Sequence, residues 1–154
     1  MDNSVIILCA TITIGTFLFW EFVAWFTHKY IMHGPLWYFH RDHHTHENPG
    51  FFEKNDFFFL LFALPGIALI FFGWKSGWES WMVWSGFGIT LYGMAYFLVH
   101  DLFIHQRIRL FRKSENAYLR AIRRAHKMHH KHLTKEEGEC FGMLIVPLKY
   151  FRRA

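Results

Sequence analysis

Three long apolar stretches constrain this 154-residue chain more than any other feature. They run over 4–26, 57–74 and 78–99, and their only charged residues are Glu21 and Glu79. A bilayer core of about 30 Å requires about 20 helical residues, with a working range of about 17–25. The stretches therefore predict three transmembrane helices, the first extending to residue 27. With 53% hydrophobic and 21% aromatic residues, the composition excludes a disordered chain.

The basic residues predict how these helices cross the membrane. Only Lys75 of the 17 Lys and Arg lies between the second and third stretches, and the other cations lie within 29–54 and 107–153. By the positive-inside rule, 28–56 and 100–154 are expected in the cytoplasm, with the N-terminus outside the cell membrane. The basic residues that give the chain its net charge of +5 are then expected to face anionic lipid rather than to bind nucleic acid.

The cytoplasmic parts are predicted to form a helical cap. Pro35 suits the start of a helix over 35–47, and Ser114 is a plausible N-cap for a second helix over 115–133. The apolar segment 140–151 is too short to span a membrane, so it is expected in the interface or covering the cap. The fold class is thus an all-α integral membrane protein, with residues 1–154 as a single domain.

Histidine is concentrated in this cap. Ten of the 12 histidines form four clusters in which the order HxxxxH, then HxxHH, occurs twice. In HxxHH, positions i, i+3 and i+4 share one helix face. The clusters are His28 and His33; His40, His43 and His44; His100 and His105; and His126, His129 and His130.

The HxxxxH spacing is less regular, because residues i and i+5 lie about 140° apart on an α-helix. A π-bulge would turn both histidines of a pair toward one centre, and such bulges are frequent at functional sites. Alternatively, the two histidines of a pair bind different metal ions.

Neutral imidazole is the commonest protein ligand for metals such as Zn, Cu, Fe and Ni. Ten histidines suit two ions with about five ligands each, whereas a catalytic zinc ion needs only three protein ligands. A dinuclear iron site that activates dioxygen is therefore the better interpretation. Asp42, Asp101 and Glu47 are candidates to accept the second ring N–H of a ligating histidine.

The four clusters and their spacing resemble the β-carotene hydroxylases, within the fatty acid hydroxylase and sterol desaturase superfamily. The resemblance covers nearly the whole chain and implies a non-haem di-iron monooxygenase with all ten clustered histidines as iron ligands. The implied reaction hydroxylates carbon 3 of each β-ionone ring, taking β-carotene through β-cryptoxanthin to zeaxanthin. It uses dioxygen and an external donor of the ferredoxin type, and zinc is a plausible substitute metal in purified protein.

Two other classes of function stay open. The same histidine site would serve a carotenoid ketolase, or a hydroxylase or desaturase of fatty acids or sterols. A non-enzymatic haem protein or metal carrier is less consistent with the sequence, because axial haem histidines normally face each other at membrane depth. The chain has no GxGxxG fingerprint and no set of four cysteines for an iron–sulfur cluster, so the electrons are expected from a partner. The basic residues Arg120, Arg123, Arg124 and Lys127 are the candidate docking surface for that partner.

Overall fold

A computed structural model describes residues 2–45, 50–108 and 113–152, and every regular element in these ranges is helical. The three longest helices are long and apolar enough to cross a membrane, when the π-helical turns that extend two of them are counted in their length. Most side chains in their apolar windows face outward, as in lipid-facing helices: the buried shares are 11%, 17% and 39%. The α-helices are α1 (Asn3–Thr27), α2 (Trp37–Thr45), α3 (Asp56–Lys75), α4 (Trp81–Tyr96) and α5 (Ala117–His129).

Backbone contacts divide the chain into two units, and the prediction of a single domain stays a prediction. The first unit consists of Met1–Trp20 and Phe57–Ala95, and therefore holds most of α1, all of α3 and nearly all of α4. Its helices approach one another through glycines, as is common between transmembrane helices. A Cβ atom built on Gly86 of α4 would lie 2.8 Å from the Gly66 carbonyl oxygen of α3.

Gly88 and Gly93 provide a matched pair of substitutions within α4. A Cβ on Gly88 would lie 2.6 Å from the Thr13 carbonyl oxygen, whereas a Cβ on Gly93 meets nothing within 4 Å. We expect Gly88→Ala to destabilise the protein by about 1–3 kcal/mol through overpacking. Gly93→Ala should instead stabilise the helix by roughly 0.5–1 kcal/mol, because alanine loses less backbone entropy than glycine. Thermal unfolding in a mild detergent measures both changes, and equal effects would contradict this packing.

The second unit consists of Glu21–Asp56 and Tyr96–Ala154. Two π-helical segments follow α1 and α4 directly, over His28–Met32 and Phe97–Ile104. Ala121 and Ala125 of α5 pack against Tyr150, which lies in a 3-10 turn near the end of the chain. The segment after α5 thus folds back over α5, in agreement with the expectation that 140–151 covers the cap.

Both cap helices begin two residues later than predicted. The chain leaves the first π segment through a turn in which Leu36 N donates to the Ile31 carbonyl, so α2 begins only at Trp37. Asn116, not Ser114, is the N-cap of α5, because its side-chain oxygen accepts from the backbone N–H of Tyr118 and Leu119. The Ser114 hydroxyl instead accepts from the Asn116 N–H, which fixes the turn before the helix.

Candidate metal centre

The two HxxxxH pairs lie in the two π segments. His33 N donates to the His28 carbonyl at 3.0 Å, and His105 N donates to the His100 carbonyl at 2.9 Å. These are the i→i+5 hydrogen bonds of a π-helix, and they connect the two histidines of each pair. The ring centroids lie 5.2 Å apart in the first pair and 4.5 Å apart in the second. The π-bulge predicted from the spacing is confirmed.

The predicted histidines converge in two groups, and in each group the candidate ligand atoms lie within 4.8 Å of one another. His130 lies between the groups, with its ring 4.6 Å from His44 and 4.9 Å from His105. All ten clustered histidines therefore meet in one region of the second unit. The first histidine group is His28, His33, His40, His44 and His129; the second is His43, His100, His105 and His126.

Every imidazole of the first group uses its Nδ1 atom to hold an oxygen acceptor. His40 Nδ1 lies 2.7 Å from the Asn55 side-chain oxygen. The other four Nδ1 atoms lie 2.9–3.2 Å from backbone carbonyls. All four carbonyls belong to the segment that follows α5, hereafter the tail (residues 132–145). They are the carbonyls of His132, Lys135, Glu139 and Phe141, which accept from His44, His33, His129 and His28 respectively.

This pattern fixes the protonation of the first group. A carbonyl oxygen can only accept, so Nδ1 carries the proton and Nε2 presents its lone pair. Burial lowers the pKa of His129 to about 2, with repulsion from His44 and His33 adding to the shift, so the ring is neutral at physiological pH. Five lone pairs thus face one another without a proton to share, an arrangement that a cation stabilises.

The spacing of the Nε2 atoms also suits metal ions. Neighbouring Nε2 atoms approach to between 2.8 and 3.3 Å in both groups. Two nitrogens at right angles on one ion, each about 2.1 Å from it, would lie about 3 Å apart. The donor set therefore fits two ions of the imidazole-binding class, which includes iron and zinc.

Two histidines of the second group, His43 and His100, have carboxylate partners. His43 Nδ1 lies 2.7 Å from Glu53 Oε2, and His100 Nδ1 lies 3.4 Å from Asp101 Oδ2. Arg107 connects these acids, since its guanidinium pairs with Asp101 at 3.0 Å, with Asp56 at 2.6 Å and with Glu53 at 3.5 Å. Burial raises the pKa of Glu53 to about 7 although the Arg107 charge opposes the shift. A carboxylate partner makes an imidazole a more basic ligand, and in this respect His43 and His100 differ from the histidines of the first group.

The three acidic residues predicted to orient histidines differ in where the structure places them. Asp101 lies beside His100, with its Oδ2 atom 3.4 Å from His100 Nδ1. Asp42 was expected to reach a histidine, but its carboxylate accepts from the Lys54 backbone N–H at 2.7 Å and so fixes the loop that carries Glu53 and Asn55. Glu47 lies outside the described residues. Sequence reasoning missed Glu53 and Asn55, which lie just before α3. It could not find the tail carbonyls, because a backbone carbonyl carries no residue-type signal.

The basic residues of α5 only partly face outward. Lys127 is exposed, and Arg120 pairs with Glu115 at 3.0 Å. Arg123 departs from the expectation of an outward cation, because it donates to the Phe103 carbonyl and its guanidinium lies 4.0 Å from the centre of the Phe103 ring.

Comparison with known proteins places this arrangement in a family. The fatty acid hydroxylase family model matches residues 13–148. The chain is 40% identical to the "Beta-carotene hydroxylase" of Pseudescherichia vulneris over 94% of its own length and 77% of that protein. It is also 40% identical to the "Beta-carotene hydroxylase" of Pantoea ananas, over 90% of its own length and 77% of the relative.

A plant relative, the "Beta-carotene 3-hydroxylase 2, chloroplastic" of Arabidopsis thaliana, is 34% identical over 88% of this chain and 45% of its own length. No solved structure matches the chain significantly. The match of the family model over most of the sequence, together with these relatives, shows that the chain belongs to the fatty acid hydroxylase family.

Proposed function

We propose that this protein is a di-iron monooxygenase that hydroxylates carbon 3 of the β-ionone rings of β-carotene, giving β-cryptoxanthin and then zeaxanthin. Relatives that share 40% of aligned residues over most of the chain carry the name beta-carotene hydroxylase. The ten clustered histidines are the proposed iron ligands. His130 is assigned with them because its ring lies beside members of both groups.

The convergence of five Nε2 lone pairs in the first histidine group is the observation that carries this proposal. A buried set of neutral imidazoles with their Nδ1 protons held elsewhere is arranged to bind a cation rather than to transfer protons. Two iron ions held by the two groups would supply the redox chemistry that activates dioxygen. The histidines would hold the two ions, while Glu53 and Asp101 orient the rings of His43 and His100.

The overall reaction requires a reductant from outside the chain. Dioxygen contributes one atom to the new C–OH group and the other to water, which consumes two electrons and two protons. We propose that a ferredoxin-type carrier delivers the electrons at α5, where Lys127 is exposed and Arg120 and Arg124 are partly exposed. We further propose that this face lies on the cytoplasmic side of the cell membrane, with the N-terminus outside, because Lys75 is the only Lys or Arg between the second and third apolar stretches.

Expression in cells that accumulate β-carotene tests the substrate and the position of attack. We expect zeaxanthin, with β-cryptoxanthin as the intermediate, identified by chromatography and mass spectrometry against authentic standards. Cells that carry the empty vector provide the background. Canthaxanthin would indicate a ketolase, and unchanged β-carotene in cells that contain folded protein would contradict the proposal.

Fatty-acyl hydroxylation is the second candidate, because the matching family model is that of the fatty acid hydroxylases. The same cells discriminate between the two functions through analysis of their total fatty acids. Hydroxylated acyl chains that require the protein, with carotenoids unchanged, would favour this second candidate.

A further inference from the structure

Glu21 is a buried carboxylate within the apolar helix α1, with 5% of its surface exposed. Its Oε1 atom accepts hydrogen bonds from three consecutive backbone N–H groups, those of Met143, Leu144 and Ile145, at 2.9–3.0 Å. A charged group in such surroundings is costly unless it is hydrogen-bonded, and successive backbone N–H groups form a recognised anion-binding concavity. The carboxylate therefore fastens the end of the tail to α1.

The fastened residues adjoin the carbonyls that orient the first histidine group. Phe141, whose carbonyl accepts from His28, lies two residues before Met143. Gly142 lies between these two residues and allows the tail to approach Glu21 closely. A Cβ atom on Gly142 would lie 3.1 Å from Glu21 Oε1 and 3.2 Å from the Ile145 carbonyl oxygen. The Phe141 ring also contacts the rings of His28 and His129. Any displacement of Met143 is therefore transmitted over a very short length of backbone to His28.

The tail itself is not in a relaxed conformation. Glu137 and Cys140 adopt φ angles of 64° and 60°, which residues other than glycine rarely adopt. Such a backbone persists only where its surroundings hold it in place. The Glu139 carbonyl, which accepts from His129, lies between these two residues.

We propose that Glu21 is a positioning residue for the first histidine group, acting through the tail. It holds Met143–Ile145, and the tail in turn holds the Nδ1 protons that direct the imidazole lone pairs inward. This inference rests on the proposed metal centre. It predicts that loss of the carboxylate weakens the binding of one of two metal ions, the one held by the first group, and spares the other.

The test uses the full chain in detergent, reconstituted with Fe(II), and measures metal content and the rate of iron extraction by a chelator. For Glu21→Met we expect one of the two ions to be extracted at least 10-fold faster, in line with the roughly 10–100-fold losses found when a group that orients a ligand is removed. Glu21→Gln should lie between Glu21→Met and the wild type. Its amide oxygen can take the place of Oε1, but charge-assisted hydrogen bonds are roughly twice as strong as neutral ones.

Glu79→Met is the matched control, because Glu79 is exposed and outside the second unit. Extraction from Glu79→Met should follow the wild type. Equal extraction rates in the wild type and both Glu21 variants would overturn the role of Glu21 while leaving the metal centre intact. A wild-type protein that binds no iron would instead overturn the proposed function. If Glu21→Met does not fold, Glu21→Gln decides the matter, since faster loss of one ion supports the proposal and an unchanged rate overturns it.

Discussion

Replacing His129 with alanine is expected to reduce hydroxylated product by more than about 100-fold, the upper end of the losses seen for groups that merely orient a ligand. His129 is completely buried, and its Nε2 lies 3.3 Å from that of His33. Alanine removes one of the five lone pairs that converge in the first histidine group. The measurements are zeaxanthin formation in carotene-producing cells and the iron content of the purified protein.

His43→Ala applies the same test to the second histidine group, and we expect an equally large loss. His132→Ala is the matched control. The His132 side chain belongs to neither group, and the carbonyl that accepts from His44 is part of the backbone and survives the substitution. Circular dichroism of each variant verifies the helical fold. Near wild-type activity in His129→Ala or His43→Ala would show that the ligand assignment is wrong.

Metal exchange is expected to separate binding from chemistry. Protein that is stripped of metal and reloaded with Fe(II) should recover hydroxylation, whereas protein reloaded with Zn(II) should bind the metal and stay inactive. The imidazole groups suit both ions, but zinc has no redox chemistry and cannot take part in the reduction of dioxygen. The measurements are the metal content of each preparation and its product formation with a supplied reductant.

Competition between the two metals sharpens this result. Activity should fall in proportion to the zinc bound when both metals are offered together, because they occupy the same histidines. Full activity in a zinc-loaded, iron-free preparation would exclude the proposed oxygen chemistry. Zinc binding that leaves iron content and activity unchanged would show that zinc occupies a different site.

The spacing of residues led to the hypothesis of the π segments and predicted the membrane helices. A histidine pair separated by five positions faces one centre only if the turn is widened, and the bonds from His33 to His28 and from His105 to His100 are of that kind. Helix length against bilayer thickness likewise predicted α1 and α3 to within a residue or two. In both cases a geometric rule acts on residues that are close in sequence.

The assignment of histidines to groups could not be predicted in this way. His43 and His44 are adjacent in α2, yet they belong to different groups. Consecutive residues of a helix point about 100° apart, so the partner of each depends on which element packs on that side. The same limitation explains why Glu53 and Asn55 were missed. They lie in a connection without periodicity, and only its fold brings them to His43 and His40.

The hydrogen bond that joins the first and last histidine of each HxxxxH pair bears on how the family can evolve by insertion and deletion. An i→i+5 turn contains one residue more than an i→i+4 turn, so removing one residue between the histidines would restore an ordinary α-helical turn. That deletion would leave the residues that follow facing nearly as before, because four steps of an α-helix and five steps of the widened turn both bring the chain round by a little more than one turn. In an alignment, a one-residue gap inside either pair would therefore mark a changed backbone hydrogen-bond pattern within a helix, rather than a shortened loop.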